Sequence, residues 1–340
     1  MADFYVDSNA TGANNGTSWT DAWTTITSAP GGISAGDRVF VASDHSESQA
    51  SLMSLSWPGT VASLNHIISA DSTSGTPPTT QTSGASVATT GANDIQIISS
   101  GYIYMWGIAF NAGDGASLAS IIIANSSAGS DSVLEDCVFV LGNTSSSSRI
   151  IIANDTDAKV YLKNCNFQFD AATQGVNTGT IGAPFIVDGG SLIGSTFPNN
   201  FIANTADETR IFISGFDFSS GSSSMNIIGD TDSNITGYVR NCKLPSSWTG
   251  SLRTTNQLGS DIILSNSDNS DTNYNYEKIT HTGNILSETT IVKDSGASDG
   301  ATVLSWKMVS NANAIYPKNT LESTEIVKWN GVVGSSITVT

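Results

Sequence analysis

Six segments of the chain align without gaps, and an internal repeat of this period leaves few architectures open. They are Met105-Trp106-Gly107-Ile108-Ala109-Phe110, Leu134-Glu135-Asp136-Cys137-Val138-Phe139, Leu162-Lys163-Asn164-Cys165-Asn166-Phe167, Leu192-Ile193-Gly194-Ser195-Thr196-Phe197, Ile213-Ser214-Gly215-Phe216-Asp217-Phe218 and Val239-Arg240-Asn241-Cys242-Lys243-Leu244. The first column is apolar throughout, and the last is Phe in every segment but the sixth, which has Leu. The third column holds only Gly, Asp and Asn, the residues that best tolerate a positive φ at a bend. The fourth reads Ile, Cys, Cys, Ser, Phe, Cys and takes in every Cys of the chain. Side chains alternate across a strand, so the fourth and sixth positions face the same way. One bend residue therefore separates two inward-facing stretches.

Successive last-column residues lie 29, 28, 30, 21 and 26 positions apart. Short strands and polar turns at this period predict a β-solenoid, because a propeller blade needs about 40 residues or more. A second strand column is read at Ile97-Ile98, Ile121-Ile122-Ile123, Ile150-Ile151-Ile152, Phe185-Ile186-Val187 and Ile227-Ile228, with a sixth at Ile262-Ile263-Leu264. The polar stretches Asp170 to Gly182 and Ser72 to Ser86 read as insertions and loops between columns. Six coils stacked at about 4.8 Å give a rod of about 30 Å, with the Phe column as a continuous aromatic ladder.

The ends of such a stack need covering, since an open solenoid presents a strand edge. At the N-terminus Thr20 to Ile26 is expected to form a short helical plug, with Trp19, Trp23 and Ile26 at helical spacing. At the C-terminus, residues 302–308, 325–329 and 336–340 read as strands of a small separate module. The expected organisation is 1–50 for the opening strand, capping helix and first coil, 51–286 for the body of the solenoid, and 287–340 for a C-terminal β module.

Thirteen Lys and Arg against thirty Asp and Glu leave a formal charge of −17, which argues against nucleic acid or an anionic membrane as a partner. Three Cys are too few for a disulfide framework in a chain of 340 residues, and they read as small buried hydrophobes. The three His stand far apart in sequence without metal-ligand spacing. Asp155-Thr156-Asp157, Asp230-Thr231-Asp232 and Asp268-Asn269-Ser270-Asp271 suggest calcium loops only superficially, since none continues into a known calcium-binding pattern. Met1 to Tyr5 lead into no apolar run, so no signal peptide is expected.

The opening Asp3-Phe4-Tyr5-Val6-Asp7-Ser8-Asn9, then Gly16 to Trp23, then Ala35-Gly36-Asp37-Arg38-Val39-Phe40-Val41, resembles the N-terminal region of pectate-lyase-like right-handed parallel β-helix proteins. Ala42 to Ser48 and the tail around Leu304 to Met308 are similar to tailed-phage virion proteins of that superfamily. The resemblance implies an all-β, right-handed single-stranded parallel β-helix with a short N-terminal capping helix. Lyases of the superfamily need an Asp cluster beside a basic residue, often with calcium, and here Arg149, Arg210, Arg240 and Arg253 stand outside acidic clusters in sequence. The Gly-His-Gly and Arg-Ile-Lys strings of its hydrolases do not occur in this chain.

Glycoside hydrolysis requires two carboxylates about 5 to 9 Å apart, and Glu135 and Asp217 are the best placed on the repeat, though turn and surface roles account for both. Neither is assigned as catalytic, and no cofactor or metal ligand is assigned. Trp57, Tyr102, Tyr104, Trp106 and Trp248 would make a sugar-stacking platform if one side of the rod exposed them. The expected role is that of a non-enzymatic virion structural protein, a capsid decoration or head-surface protein of a tailed phage made in the host cytoplasm. Its expected partners are the major capsid protein or neighbouring decoration subunits, with homo-oligomers open. The alternative is a tail-spike or fibre protein that binds host surface polysaccharide, with its cleavage left open.

Overall fold

The computed structural model describes residues 1–99, 101–125, 131–154, 159–178, 184–204, 209–229, 235–246 and 248–252, together with the backbone of strands at 261–269, 274–281, 289–294, 304–308, 315–319, 327–328 and 338–339. The chain winds as a parallel β-solenoid whose coils each pass through three sheets in turn. Sheet 1 stacks Asp3–Val6, Arg38–Ala42, Asn65–Ala70, Ile103–Trp106, Asp131–Glu135, Lys159–Lys163, Pro184–Asp188, Arg210–Ser214, Thr236–Arg240 and Asp261–Asn269. Sheet 2 has 6 strands, beginning with Ser46–Gln49 and ending with Ser191–Ile193. Sheet 3 has 7, from Met53–Trp57 to Asn226–Ile228. The ten parallel strands of sheet 1 span about 43 Å at the usual strand spacing. The solenoid thus begins well before the aligned repeats. Its first coils escape the pattern because Ser43 to His45 turn the chain in one, and residues 71–84 are inserted at the bend of the next.

The one-residue bend between sheets 1 and 2 is where the repeat is most demanding. Asp136, Asn164 and Asn241 hold φ at 52°, 51° and 54°, and Gly107 and Gly215 at 73° and 66°. Only Gly, Asn and Asp take this conformation at low cost, which explains the third column. Backbone bonds then climb from bend to bend, with Gly107 N–H donating to Glu135 O, Asp136 to Lys163 O, Asn164 to Asp188 O, Gly189 to Ser214 O and Gly215 to Arg240 O.

That chain of bonds corrects the fourth aligned segment. Leu162 pairs with Val187 and Phe167 with Leu192, so the repeat there runs Val187-Asp188-Gly189-Gly190-Ser191-Leu192. Leu192 belongs to the last column and Phe197 is outside the ladder. The true spacings become 29, 28, 25, 26 and 26, more even than the 30 and 21 of the first alignment. Phe185-Ile186-Val187, read as part of the second column, lies in sheet 1, as does Ile262-Ile263-Leu264. The sheet 3 strand of that coil is Gly175–Thr178, inside the stretch taken as an insertion. Its single buried aliphatic, Val176, gives a weak strand signal.

The interior is closed by rings. Phe110, Phe139 and Phe167 stack with centroids 5.9 and 5.6 Å apart, each fully buried. Leu192 interrupts the aromatic column, and two other rings restore it. A register shift opposite Val176 lets both Phe201 and Ile202 bury themselves, and Phe201 meets Phe167 at 5.4 Å and Phe216 at 5.2 Å. Phe216 takes the place that Cys137 and Cys165 hold in lower coils, directly above Gly190. A Cβ on Gly190 would stand 1.9 Å from the Cys165 carbonyl oxygen, so only glycine fits there.

At the N-terminus Trp23 bridges to Val6, and the helical cap begins at Ile26, as a short 3₁₀ turn followed by Ala29–Gly32. The expected plug at Thr20 to Ile26 is therefore displaced. Its Trp23 and Ile26 do bury themselves over the core, but from a loop and a turn. Ser72 to Ser86 is not an open loop either: Asp71 caps Thr73, Trp19 Nε1 donates to Gly75 O, and Ala85–Thr89 is a strand of sheet 2. At the other end, Asp261–Asn269 pairs antiparallel with Tyr274–His281, and that strand pairs with Thr289–Asp294. The boundary expected near Ser287 lies outside the described residues. Beyond it, Leu304–Met308 pairs with Ile315–Asn319 and Val327–Lys328 with Thr338–Val339, all antiparallel.

Candidate functional site

The bend between sheets 1 and 2 also shapes a groove. The insertion at 71–84 presses onto the first bend residue, where a Cβ on Gly107 would lie 3.3 Å from Ser83. Above that contact the insertion ends and the bend residues of the next coils are uncovered. The step leaves a cavity of about 350 Å³ walled by Ser83 and Gly84, floored by Gly107, Ala109 and Val138, and polar along Asp136, Asn164 and Asn166. Asp136 is fixed from both sides: Trp106 Nε1 donates to its Oδ2 at 2.8 Å, and Asn164 Nδ2 donates to its Oδ1. The Asn166 side-chain oxygen accepts from Ser191 Oγ at 2.8 Å, which aims its amide as well.

The outer face of sheet 1 is the second feature. Strand register aligns Tyr104, Val133, Tyr161, Ile186, Phe212 and Tyr238 in one outward column. All are half-buried. Phe212 and Tyr238 rings stand 5.2 Å apart, and the Arg240 guanidinium lies 4.4 Å above Tyr238. Lower on the same face, Tyr5, Phe40 and Ile68 form a satellite cluster with Trp19, Tyr104 and Trp106, covered by the N-terminal loop. Beside the column, Glu135 accepts from the Tyr104 hydroxyl at 3.0 Å and faces Lys163 Nζ at 3.8 Å. Burial, reinforced by the Glu135 bond, pushes the Tyr104 hydroxyl well above its ordinary range.

The sequence-predicted aromatic platform does not assemble. Trp57 is buried inside the first coil, and Trp248 donates to Met225 O near the far end. Only Tyr104 and Trp106 share a face, with Tyr102 on the turn before them. Glu135 and Asp217 are not brought together. They sit in different sheets three coils apart, about 14 Å by strand spacing. Asp217 faces Lys243 at 3.6 Å. Arg149 spends its guanidinium on the carbonyls of Ser146 and Ser148, both at 2.7 Å, and Arg253 lies outside the described residues.

His45 is buried at the N-terminal cap, accepting from Ser8 N–H at Nδ1, with Nε2 3.4 Å from Glu47. His66 packs its ring 5.9 Å from Tyr104. Among the described residues, no group of three or more His, Cys, Asp or Glu could hold a metal ion. The Asp155 and Asp230 turns lie outside the described residues, and Asp268 is the penultimate residue of the strand Asp261–Asn269. None of the three cysteines forms a disulfide, and all are buried. Burial, then the neighbouring Cys137, pushes the Cys165 thiol up, and its Sγ bonds to Leu134 O at 3.3 Å.

Sequence reasoning missed Asp136, Asn164 and Asn166 as a site. The signal was present, since Asp136 and Asn164 are bend residues of adjacent segments. It was absorbed by the conformational explanation for the column, and the insertion that walls the groove comes from another part of the chain. Comparison with protein family models, curated proteins and solved structures yields no match to this chain.

Proposed function

We propose that this protein is a non-enzymatic structural rod displayed on a particle surface, a capsid decoration or head-surface protein of a tailed phage. The observation that carries the reading is the uninterrupted core, from Val6 through Phe110, Phe139 and Phe167 to Leu252, with each of these side chains fully buried. A body of this kind keeps a fixed length without metal or disulfide. The two best-placed carboxylates each face a lysine, and their offset along the stack alone, about 14 Å, exceeds what glycoside hydrolysis uses. The similarity of Ala42 to Ser48 and of Leu304 to Met308 to tailed-phage virion proteins of the β-helix superfamily supports the particle setting. Cryo-EM reconstruction of the particle that carries the chain tests it: rod-shaped density repeated over the capsid lattice is expected, and density at the tail tip alone overturns it.

A second reading is a tail-spike or fibre protein that binds host polysaccharide, and the outward column of Tyr161, Phe212 and Tyr238 favours it. Aromatic faces in a row stack on sugar rings. Glycan-array binding lost in Tyr161→Ala and Tyr238→Ala variants would establish that reading.

A further inference from the structure

The groove at the bend holds a carboxylate whose charge no cation meets. Three other carboxylates of the rod's outer face do meet a cation: Asp3 has Arg38, Glu135 has Lys163 and Asp217 has Lys243. Asp136 makes no salt bridge among the described residues and is held by two neutral donors, the Trp106 indole and the Asn164 amide. A carboxylate offers about four lone-pair positions, so two neutral donors leave acceptor capacity unused. Next to it the Asn164 side-chain oxygen is a further acceptor, and Ala109 and Val138 supply an aliphatic floor. The cavity, about 350 Å³, is at the small end of the range that binds ligands.

We propose that this groove binds a guanidinium group, the chemistry of an arginine side chain presented by a protein partner. A planar guanidinium carries donors only, in a fork that matches a carboxylate, and its aliphatic stem suits the Ala109 and Val138 floor. The net charge of −17 draws a cationic partner toward the rod. Asn at this position would satisfy the bend equally well, as Asn164 and Asn241 do at φ of 51° and 54°. The carboxylate is therefore more than the backbone requires.

The Trp106 indole N–H reports on Asp136 directly. In full-length protein labelled with ¹⁵N at its seven Trp, that signal is assigned by its loss in Trp106→Phe. Titration with N-acetyl-argininamide is expected to shift it saturably, while the neutral isostere N-acetyl-citrullinamide leaves it in place. Asp136→Asn, which keeps the bend, is expected to weaken the response about tenfold or more. An equal response to both probes, or none to either, overturns the proposal, and these two results need no variant to fold. A full-strength arginine response in a folded Asp136→Asn protein overturns it too.

Discussion

Individual positions in this molecule are decided by one of two constraints, volume inside the stack and backbone conformation at its bends. Phe139 meets the first, fully buried between Phe110 and Phe167. Phe139→Ala is expected to destabilise by about 3 to 5 kcal/mol in denaturant unfolding, with Asp worse because it buries a charge without a partner. Leu192→Phe tests the same constraint from the other side. Restoring Phe to the column should destabilise by about 1 to 3 kcal/mol, because Phe201 and Phe216 already fill the space. At the bends, Asn164→Gly should be milder than Asn164→Val, since a β-branched residue at positive φ adds strain of about 1 to 3 kcal/mol. His66 adds a dependence on pH. Burial, and then the charge of Arg38, lowers its pKa from the ordinary 6.5, so the unfolded chain binds the proton first as pH falls. Stability contributed by the neutral ring is present above about pH 6.5 and declines as pH falls toward the lowered folded value. Thermal melts across pH 5 to 7.5 should show this slope, and His66→Gln should flatten it.

At the scale of elements, the sequence displayed what repeats and concealed what deviates. The alternation of Leu134, Cys137 and Phe139 around Asp136 is legible because each position answers to one physical demand. Val187 to Leu192 was misaligned because Leu stands where Phe was expected, and the following residues, Leu192 to Phe197, happen to mimic the pattern. Uneven spacings of 30 and 21 around that segment were the visible sign of the slip. The sheet 3 strand Gly175–Thr178 escaped for a related reason: its fit depends on Gly175, which lets the Asn200 carbonyl approach, and on the Gln174 side chain bonding to Asn143 O, not on apolar side chains. The groove escaped because its wall, near Ser83, and its polar side, near Asn164, are distant in sequence. The cap yields an element-scale prediction. Residues 1–36 cover the edges of Arg38–Ala42 and Met53–Trp57, through the pairing of Asp3–Val6 and the packing of the short helical turns. Deleting them should expose two sheet edges and produce aggregates visible by light scattering, where the full chain remains dispersed.

The whole molecule couples its parts only through neighbours. Each coil touches the one below and the one above, so stability is approximately a sum of coil terms and interfaces. Local damage should therefore stay local. Introducing Asp at Phe139 removes the ring between Phe110 and Phe167, and amide exchange should accelerate in the strands that flank it, Ile108–Gly115 and Asn166–Phe169. Protection at Val39 and Val41, three coils away, should change little, because Arg38–Ala42 keeps its pairing with both Asp3–Val6 and Asn65–Ala70. Hydrogen exchange with mass-spectrometric readout on the variant and the unmodified chain separates the two regions. A uniform loss of protection along the rod would mean that the coils unfold as one cooperative body, and that the ends feel the middle through more than their neighbours. A graded loss centred on Phe139 would make the rod modular, able to carry altered turns and grooves such as the one at Asp136 without loss of its length.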